Sequence, residues 1–268
     1  MDIIFNISEI AIITGDNKFK TKRDFLLDFW KRTLMSDFEK YQKLTEFKKE
    51  TDEEIIKKIT SSNNINISSE LQKCLVSKNT NDLNNIKKTI LTKMDNLSEN
   101  DKIEITKSIN NLTNTKFGIK NEHDIFKLYE TLTKEKIIKD NKYKKIPIYS
   151  INGNTIYIGG KIDGINIVNN NIIEIKNRVH KLFYTLRDYE KVQIICYMYL
   201  FDSLKGHLVE AHKKKDNTDI NIIEVDYDSV YMNSILEKII KFSIYFFDFI
   251  NNDDLKIQIL NNNTEINF

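Results

Sequence analysis

Residues 158–178 read IGGKIDGINIVNNNIIEIKNR, and the fold turns on how this stretch is interpreted. Apolar residues alternate with polar or small ones on both sides of an Asn cluster, which marks two strands joined by a turn, TIYIGGKIDGINIV and IIEIKN. On the second strand Glu174 and Lys176 are two residues apart and share a face, while Ile173 and Ile175 take the other. A central strand covered by helices is normally apolar on both faces, so an acid and a base side by side require a purpose. Asp163 joins them only if the turn has a suitable length. With Asn169 and Asn170 as a two-residue link, Asp163 falls opposite Lys176; a three-residue link in regular pairing would send it to the wrong face. A two- or four-residue connection, or a bulge, is therefore expected.

The residue types specify a chemistry. Asp163 and Glu174 offer hard oxygen ligands for one or two Mg²⁺ ions, which polarise a phosphodiester and lower the pKa of an attacking water. Lys176 would orient or activate that water and offset charge on the pentavalent transition state. Gly159, Gly160 and Gly164 leave room for a nucleic-acid backbone beside the acids. The plainer alternative is a surface hairpin with a solvated Glu and Lys pair, because E-x-K is common in a lysine-rich chain.

Working outward, Arg187 to Phe201 forms a helix with Val192, Ile195, Cys196 and Tyr199 inward. Gln193 and Tyr197 lie one turn apart on it, after Arg187 and Lys191. Gln193 can hydrogen-bond a phosphate or the attacking water, although QxxxY on a half-buried helix also serves packing and capping. Two strands, GHLVEAHKK and NIIEVDYD, and an amphipathic helix over residues 230–250 follow. Upstream lie a strand, KIPIYSI, and a helix over residues 120–139, where Ile119, Phe126, Tyr129 and Ile137 recur at helical spacing. Glu122 falls on that apolar face, where burial of an unpaired carboxylate is costly, so either a metal or a core salt bridge is expected there. Helix, three strands, helix, two strands and helix together describe an α/β fold with one mixed central sheet flanked by helices.

The amino-terminal segment has a turn at Thr14 and Gly15, then a core helix with Phe25, Leu26, Phe29, Trp30 and Leu34 as its stripe. Between residues 36 and 114, short helical patterns such as SELQKCLVS and DLNNIKKTILTKM are separated by Asn, Ser and Thr clusters. The division is thus 1–35 and 115–268 as core, with 36–114 as a less strongly packed α-helical insertion.

Among the 268 residues, 40% hydrophobic and 30% charged is a globular balance, and a net charge of +2 gives no overall field for an anionic partner. Any nucleic-acid surface must be local. Two cysteines, Cys74 and Cys196, exclude a disulfide framework and a four-cysteine metal site, and point to an intracellular, soluble protein. MDIIFNISEI is not a signal peptide. Residues 239–250 are too short to span a bilayer, which takes about 20 residues, so no membrane partner is expected.

The ordered set of Glu122 in FGIKNE, Asp163 in GGKIDG, Glu174 and Lys176 in EIKNR, and Gln193 and Tyr197 in YEKVQIICYMY resembles the PD-(D/E)XK nucleases. The branch is that of lambda exonuclease and the YqaJ recombinases, near the RecB nuclease domain. EIKNRVHKLFYTLRDYEKVQ and ITGDNKFKTKRDFLLDFWKR are similar to YqaJ-like proteins of large DNA viruses. The likeness covers about Thr113 to Phe249 and the first thirty or so residues. It implies a restriction-endonuclease-like core and an alkaline exonuclease that uses Mg²⁺ or Mn²⁺. Such an enzyme digests duplex DNA ends, typically 5′ to 3′, in recombination or repair. A single-strand annealing or recombination protein is then a candidate partner, and a viral chain would work in host cytoplasm or nucleus. The resemblance also implies that Asp163, Glu174 and the main-chain oxygen of Ile175 bind metal and that Glu122 acts through the metal or its water. Lys176 is then the catalytic lysine, with Gln193 supporting it. No arginine precedes Thr14 and Gly15 to hold a terminal phosphate, so Lys18, Lys20 and Arg23 are the candidates; Arg178, Lys181, Arg187 and Tyr197 are the others for DNA contact. The iron–sulfur cysteines of a related branch are missing. A structure-specific endonuclease and a catalytically idle binding relative remain as alternatives, and oligomeric state stays open.

Overall fold

The computed structural model describes residues 2–268 except Asn121, Asp140, Asn141, Asn152, 262–265 and Asn267; the side chains of Ile119 and Lys120 also lie outside the description. The strand expected over residues 155–168 is divided. β4 (Asn154–Gly160) pairs with β1 (Ile3–Asn6) and β3 (Lys144–Ile151) in a three-stranded sheet, order β1-β4-β3. β5 (Gly164–Asn166) instead enters a five-stranded sheet with β2 (Ile137–Ile138), β6 (Ile172–Asn177), β7 (Lys205–Lys213) and β8 (Thr218–Asp226), order β2-β5-β6-β7-β8. The class is mixed α/β as expected, but there are two mixed sheets rather than one. The break falls at Lys161, Ile162 and Asp163, where the Asp163 carboxylate, not a strand carbonyl, accepts the N–H of Ile175.

Three buried clusters organise the chain. The largest joins β1, β4 and the strand residues Ile172 and Leu208 to α1 (Ile7–Ile13), α2 (Lys22–Thr33), α9 (Asp188–Phe201), α10 (Ser229–Ile250) and α11 (Asp253–Asn261). Its centre is aromatic: Phe5 stacks on Phe29 at 4.8 Å, and Phe242 and Phe246 meet Phe29 edge-on. Each such ring contributes about 1.5–3 kcal/mol by leaving water. A small cluster on the opposite face of the five-stranded sheet sets Ile173, Ile175, Val209 and Ala211 against Ile125, Phe126 and Tyr129 of α8 (Glu122–Thr133). Strand alternation follows: residues 173 and 175 face α8, whereas 172, 174 and 176 face α9.

The third cluster belongs to the helical region and unites α4 (Asp52–Ser62), α5 (Ser68–Val76), α6 (Thr80–Lys93) and α7 (Glu99–Lys120) around Ile56, Leu83, Ile90 and Ile105. Phe38 and Tyr41 of α3 (Met35–Leu44) pack into the main core instead. α7 continues unbroken past residue 114.

Other expectations change. The helix placed over residues 120–139 ends at Thr133, because Lys134 turns left-handed (φ 61°) and its N–H caps the Glu130 carbonyl at 3.0 Å. Ile137 then pairs with Asn166 in a strand; its helical spacing was coincidence. The glycines do not leave open room. A Cβ on Gly164 would lie 2.6 Å from Ile137 and 2.7 Å from Phe126, and one on Gly160 would lie 2.8 Å from the Tyr197 ring. They permit close packing rather than ligand approach. Among the described residues no helix is long and apolar enough to cross a membrane. Gly164→Ala is expected to destabilise by about 1–3 kcal/mol through overpacking, read as a lower urea midpoint at unchanged m-value.

Candidate active site

β5 and β6 pair antiparallel with Gly164 opposite Ile173, so the link between Asn166 and Asn171 has four residues, 167–170. The even length keeps Asp163 on the face of Glu174. In this register it stands across from Glu174, two positions from the place a two-residue link would give it. Asparagines build the turn: Asn166 Oδ1 accepts from Val168 N at 2.9 Å, Asn169 Oδ1 accepts from Asn171 N at 3.1 Å, and Asn170 is left-handed (φ 59°).

Glu174 is buried, and its Oε1 accepts from Lys176 Nζ at 2.7 Å and from Gln193 Nε2 at 2.8 Å. Lys176 also donates to Gln193 Oε1 at 2.9 Å, which closes a three-membered ring between β6 and α9. Asp163 Oδ2 is 2.7 Å from Ile175 N. Burial, then the negative charge of Glu174, push the Asp163 carboxyl up to about 8, against the opposing pull of the Ile175 N–H and Lys176. Burial works against the Lys176 ammonium too, but the charge and hydrogen bond of Glu174 outweigh it and hold its pKa above the usual value. Asp163, Glu174 and Lys176 line a cleft of about 280 Å³ whose walls include Asn114, Thr115 and Gly118 of α7, together with Glu122 and Ile175.

The other sequence candidates are distributed differently. Glu122 opens α8, is half-buried, lines the cleft and pairs with Lys139 at 3.3 Å, an ion pair of the kind that was one of the two expectations for it, although a partly exposed one. Tyr197 is buried beside Gly160, near Glu174, Asp163 and Gln193; burial raises its pKa, so its hydroxyl stays protonated. Arg178 lines the cleft only with its stem: its guanidinium lies between Glu190 and Glu210, 2.7 Å from each. Arg23 binds the carbonyls of Ile259 and Leu260 at 2.9 and 3.1 Å and fastens α11 to α2, and Lys20 pairs with Asp28 at 2.8 Å. Arg178 and Arg23 are thus engaged within the fold, whereas the Lys20 pair lies at the surface. Thr14 caps α1 through the Ala11 carbonyl, Arg187 lies over the Phe183 ring and precedes α9, and Lys18 and Lys181 are exposed.

Glu190 and Glu210 are the residues that sequence reasoning missed. Both are fully buried. Glu210 also accepts from Tyr184 N at 2.9 Å and Asn221 Nδ2 at 3.2 Å, so one carboxylate holds the whole crossover between β6 and α9. Only their position, inward on β7 and early on α9, distinguishes them from the many surface acids.

The donor set suits a hard cation. Among the described residues no group of three or more His, Cys, Asp or Glu side chains is arranged to hold a metal ion. Mg²⁺, however, characteristically takes one or two carboxylates and completes its octahedron with water and substrate oxygens. Two desolvated carboxylates, one retaining its proton for want of a counter-charge, fit that demand.

No protein-family model matches this sequence, and no curated protein does. Among solved structures the chain is similar to a phage-related exonuclease from Haemophilus somnus 129PT, at 15% identity over 52% of this chain and 72% of that one, with a TM-score of 0.41. It is also similar to an alkaline exonuclease from Laribacter hongkongensis, at 13% identity over 68% of this chain and 88% of that one, with a TM-score of 0.42. These likenesses are too loose to carry a functional argument, which rests on the geometry of the site.

Two outcomes follow from the electrostatics. Glu210→Ala leaves Arg178 buried beside one partner and is expected to cost about 3–5 kcal/mol in chemical denaturation. Asp163 holds a proton in the folded state between its unfolded value of 3.8 and about 8, so metal-free stability falls as pH rises across that window. Asp163→Asn keeps an acceptor for Ile175 N–H and removes the charge. It should melt above wild type at pH 8 and show no such gain at pH 3; equal melting temperatures at pH 8 would contradict the assigned environment.

Proposed function

We propose that this chain is a divalent-metal-dependent DNA nuclease of the PD-(D/E)XK class, acting as a 5′ to 3′ exonuclease on double-stranded DNA ends in recombination or repair. The observation that carries the reading is the meeting of Asp163, Glu174 and Lys176 on the floor of a cleft, with Gln193 of a third segment bonded to both Glu174 and Lys176. An ordinary structural ion pair would not need a second, uncompensated carboxylate beside it.

Asp163, Glu174 and the Ile175 carbonyl would hold Mg²⁺, for which Mn²⁺ can substitute, with Glu122 reaching it through a water. When bound, the ion supplies Lewis acidity toward the phosphodiester and acidifies a water. Lys176 uses two of its three N–H donors on Glu174 and Gln193, which aim the third at the attacking water or a non-bridging phosphate oxygen. Its raised pKa keeps it cationic, so it offsets charge that develops on the phosphorane. Gln193, bonded to both partners, fixes the rotamers of each. The Asp163 carboxyl must lose its proton to take a cation, so metal affinity should climb with pH up to about 8 and level off above it.

Asp163→Ala, Glu174→Ala and Lys176→Ala are each expected to lower cleavage by roughly 10²–10⁴-fold with the fold retained. Linear duplex DNA labelled at either the 5′ or the 3′ end, incubated beside a closed circle with Mg²⁺ or EDTA, tests the activity itself. Metal-dependent loss of the linear form with the circle spared supports the exonuclease and reports its polarity. A cut circle would shift the reading to an endonuclease, and no cleavage of either would sink it.

A further inference from the structure

Lys87 on α6 is a half-buried ammonium whose described partners are neutral: Nζ donates to Asn110 Oδ1 at 2.8 Å and Asn114 Oδ1 at 2.9 Å. Two other lysines of the chain meet acids. Lys93 on the same helix takes Glu70 at 2.8 Å, and buried Lys256 takes Asp37 at 3.2 Å. Taking an ammonium out of water without a counter-ion is costly, and two amide oxygens repay only part of the loss. Burial accordingly depresses the Lys87 pKa, opposed only by the nearby Cys74 thiol.

The surroundings offer room for an anion. Lys87 opens onto a cavity of about 420 Å³ with Asn84, Lys88, Asn110 and His180 on its polar side and Ile90, Leu91, Met94 and Ile109 on its apolar side, and none of its lining residues is acidic. Asn110 turns its amide oxygen to the ammonium, which leaves its NH₂ group as a donor beside that of Asn84. Asn114, the other partner of Lys87, lines the cleft with Asp163 and Glu174, so the cavity and the cleft lie against successive turns of α7 and Lys87 bridges them. His180 comes from the crossover that follows β6.

We propose that this cavity is a phosphodiester-binding subsite, in which Lys87 supplies the charge and the neighbouring asparagines the donors for a DNA backbone phosphate close to the one being cut. The helical insertion thereby contributes directly to substrate binding. The identity of the occupant rests on the nuclease reading; the anion chemistry does not.

Binding of a fluorescent duplex, followed by anisotropy in EDTA over a range of KCl concentrations, tests the subsite in wild type, Lys87→Gln and Lys87→Arg. The Gln variant should bind roughly fivefold to tenfold more weakly, and its slope of log K against log salt should be shallower by about 0.9, the signature of one lost phosphate contact. The Arg variant should restore both. Inorganic phosphate supplies a second probe: it should raise the melting temperature of wild type and Lys87→Arg but not of Lys87→Gln. Metal-dependent DNA cleavage with affinity and salt slope indifferent to Lys87 would discard the subsite and keep the nuclease. A Lys87-dependent phosphate effect in a protein that neither binds nor cuts DNA would keep the anion site and discard the nuclease.

Discussion

Two carboxylates forced onto the same face of a sheet repel one another, and much of the surrounding architecture answers that repulsion. The four-residue asparagine turn sets Asp163 across from Glu174. Lys176 and Gln193 then close over Glu174, while Asp163 receives a main-chain N–H from the strand it faces. Compensation remains incomplete, and the surplus survives as a raised proton affinity at Asp163. Strongly shifted carboxylates of this kind are concentrated at functional sites.

The same demand explains the buried ions behind the cleft. β6 must leave the sheet, turn, and return as α9 with Gln193 on the face of Glu174. The crossover that makes this turn is anchored by buried Val179 and Leu182 and, at its start, by Arg178 between Glu190 and Glu210. Such a triad contributes little net stability over an apolar substitute but strongly disfavours alternatives that leave one of its members unpaired.

The site residues were legible because ionisable side chains at period-two positions break a pattern otherwise set by Ile. The division into two sheets was not, since GGKIDG reads as continuous strand and only the tertiary bond from Asp163 to Ile175 interrupts it. β1 is four residues long, too short for periodicity to declare it, and it exists because β4 offers it a parallel edge. Ile137 mimicked a helical position two turns beyond Tyr129. Glu190 and Glu210 were hidden by composition, because 39 acids distributed among 41 basic residues make any single Glu look like solvated surface.

α7 has one further consequence. It is an uninterrupted helix of 22 residues, about 33 Å long at 1.5 Å per residue, with its early turns in the core of the insertion and its last turns on the cleft wall. Phe117, in those last turns, packs into the same cluster as Ile105, so the wall that Asn114 and Gly118 present to Asp163 is held by the packing of the helical region, and a void opened there would be felt at the cleft.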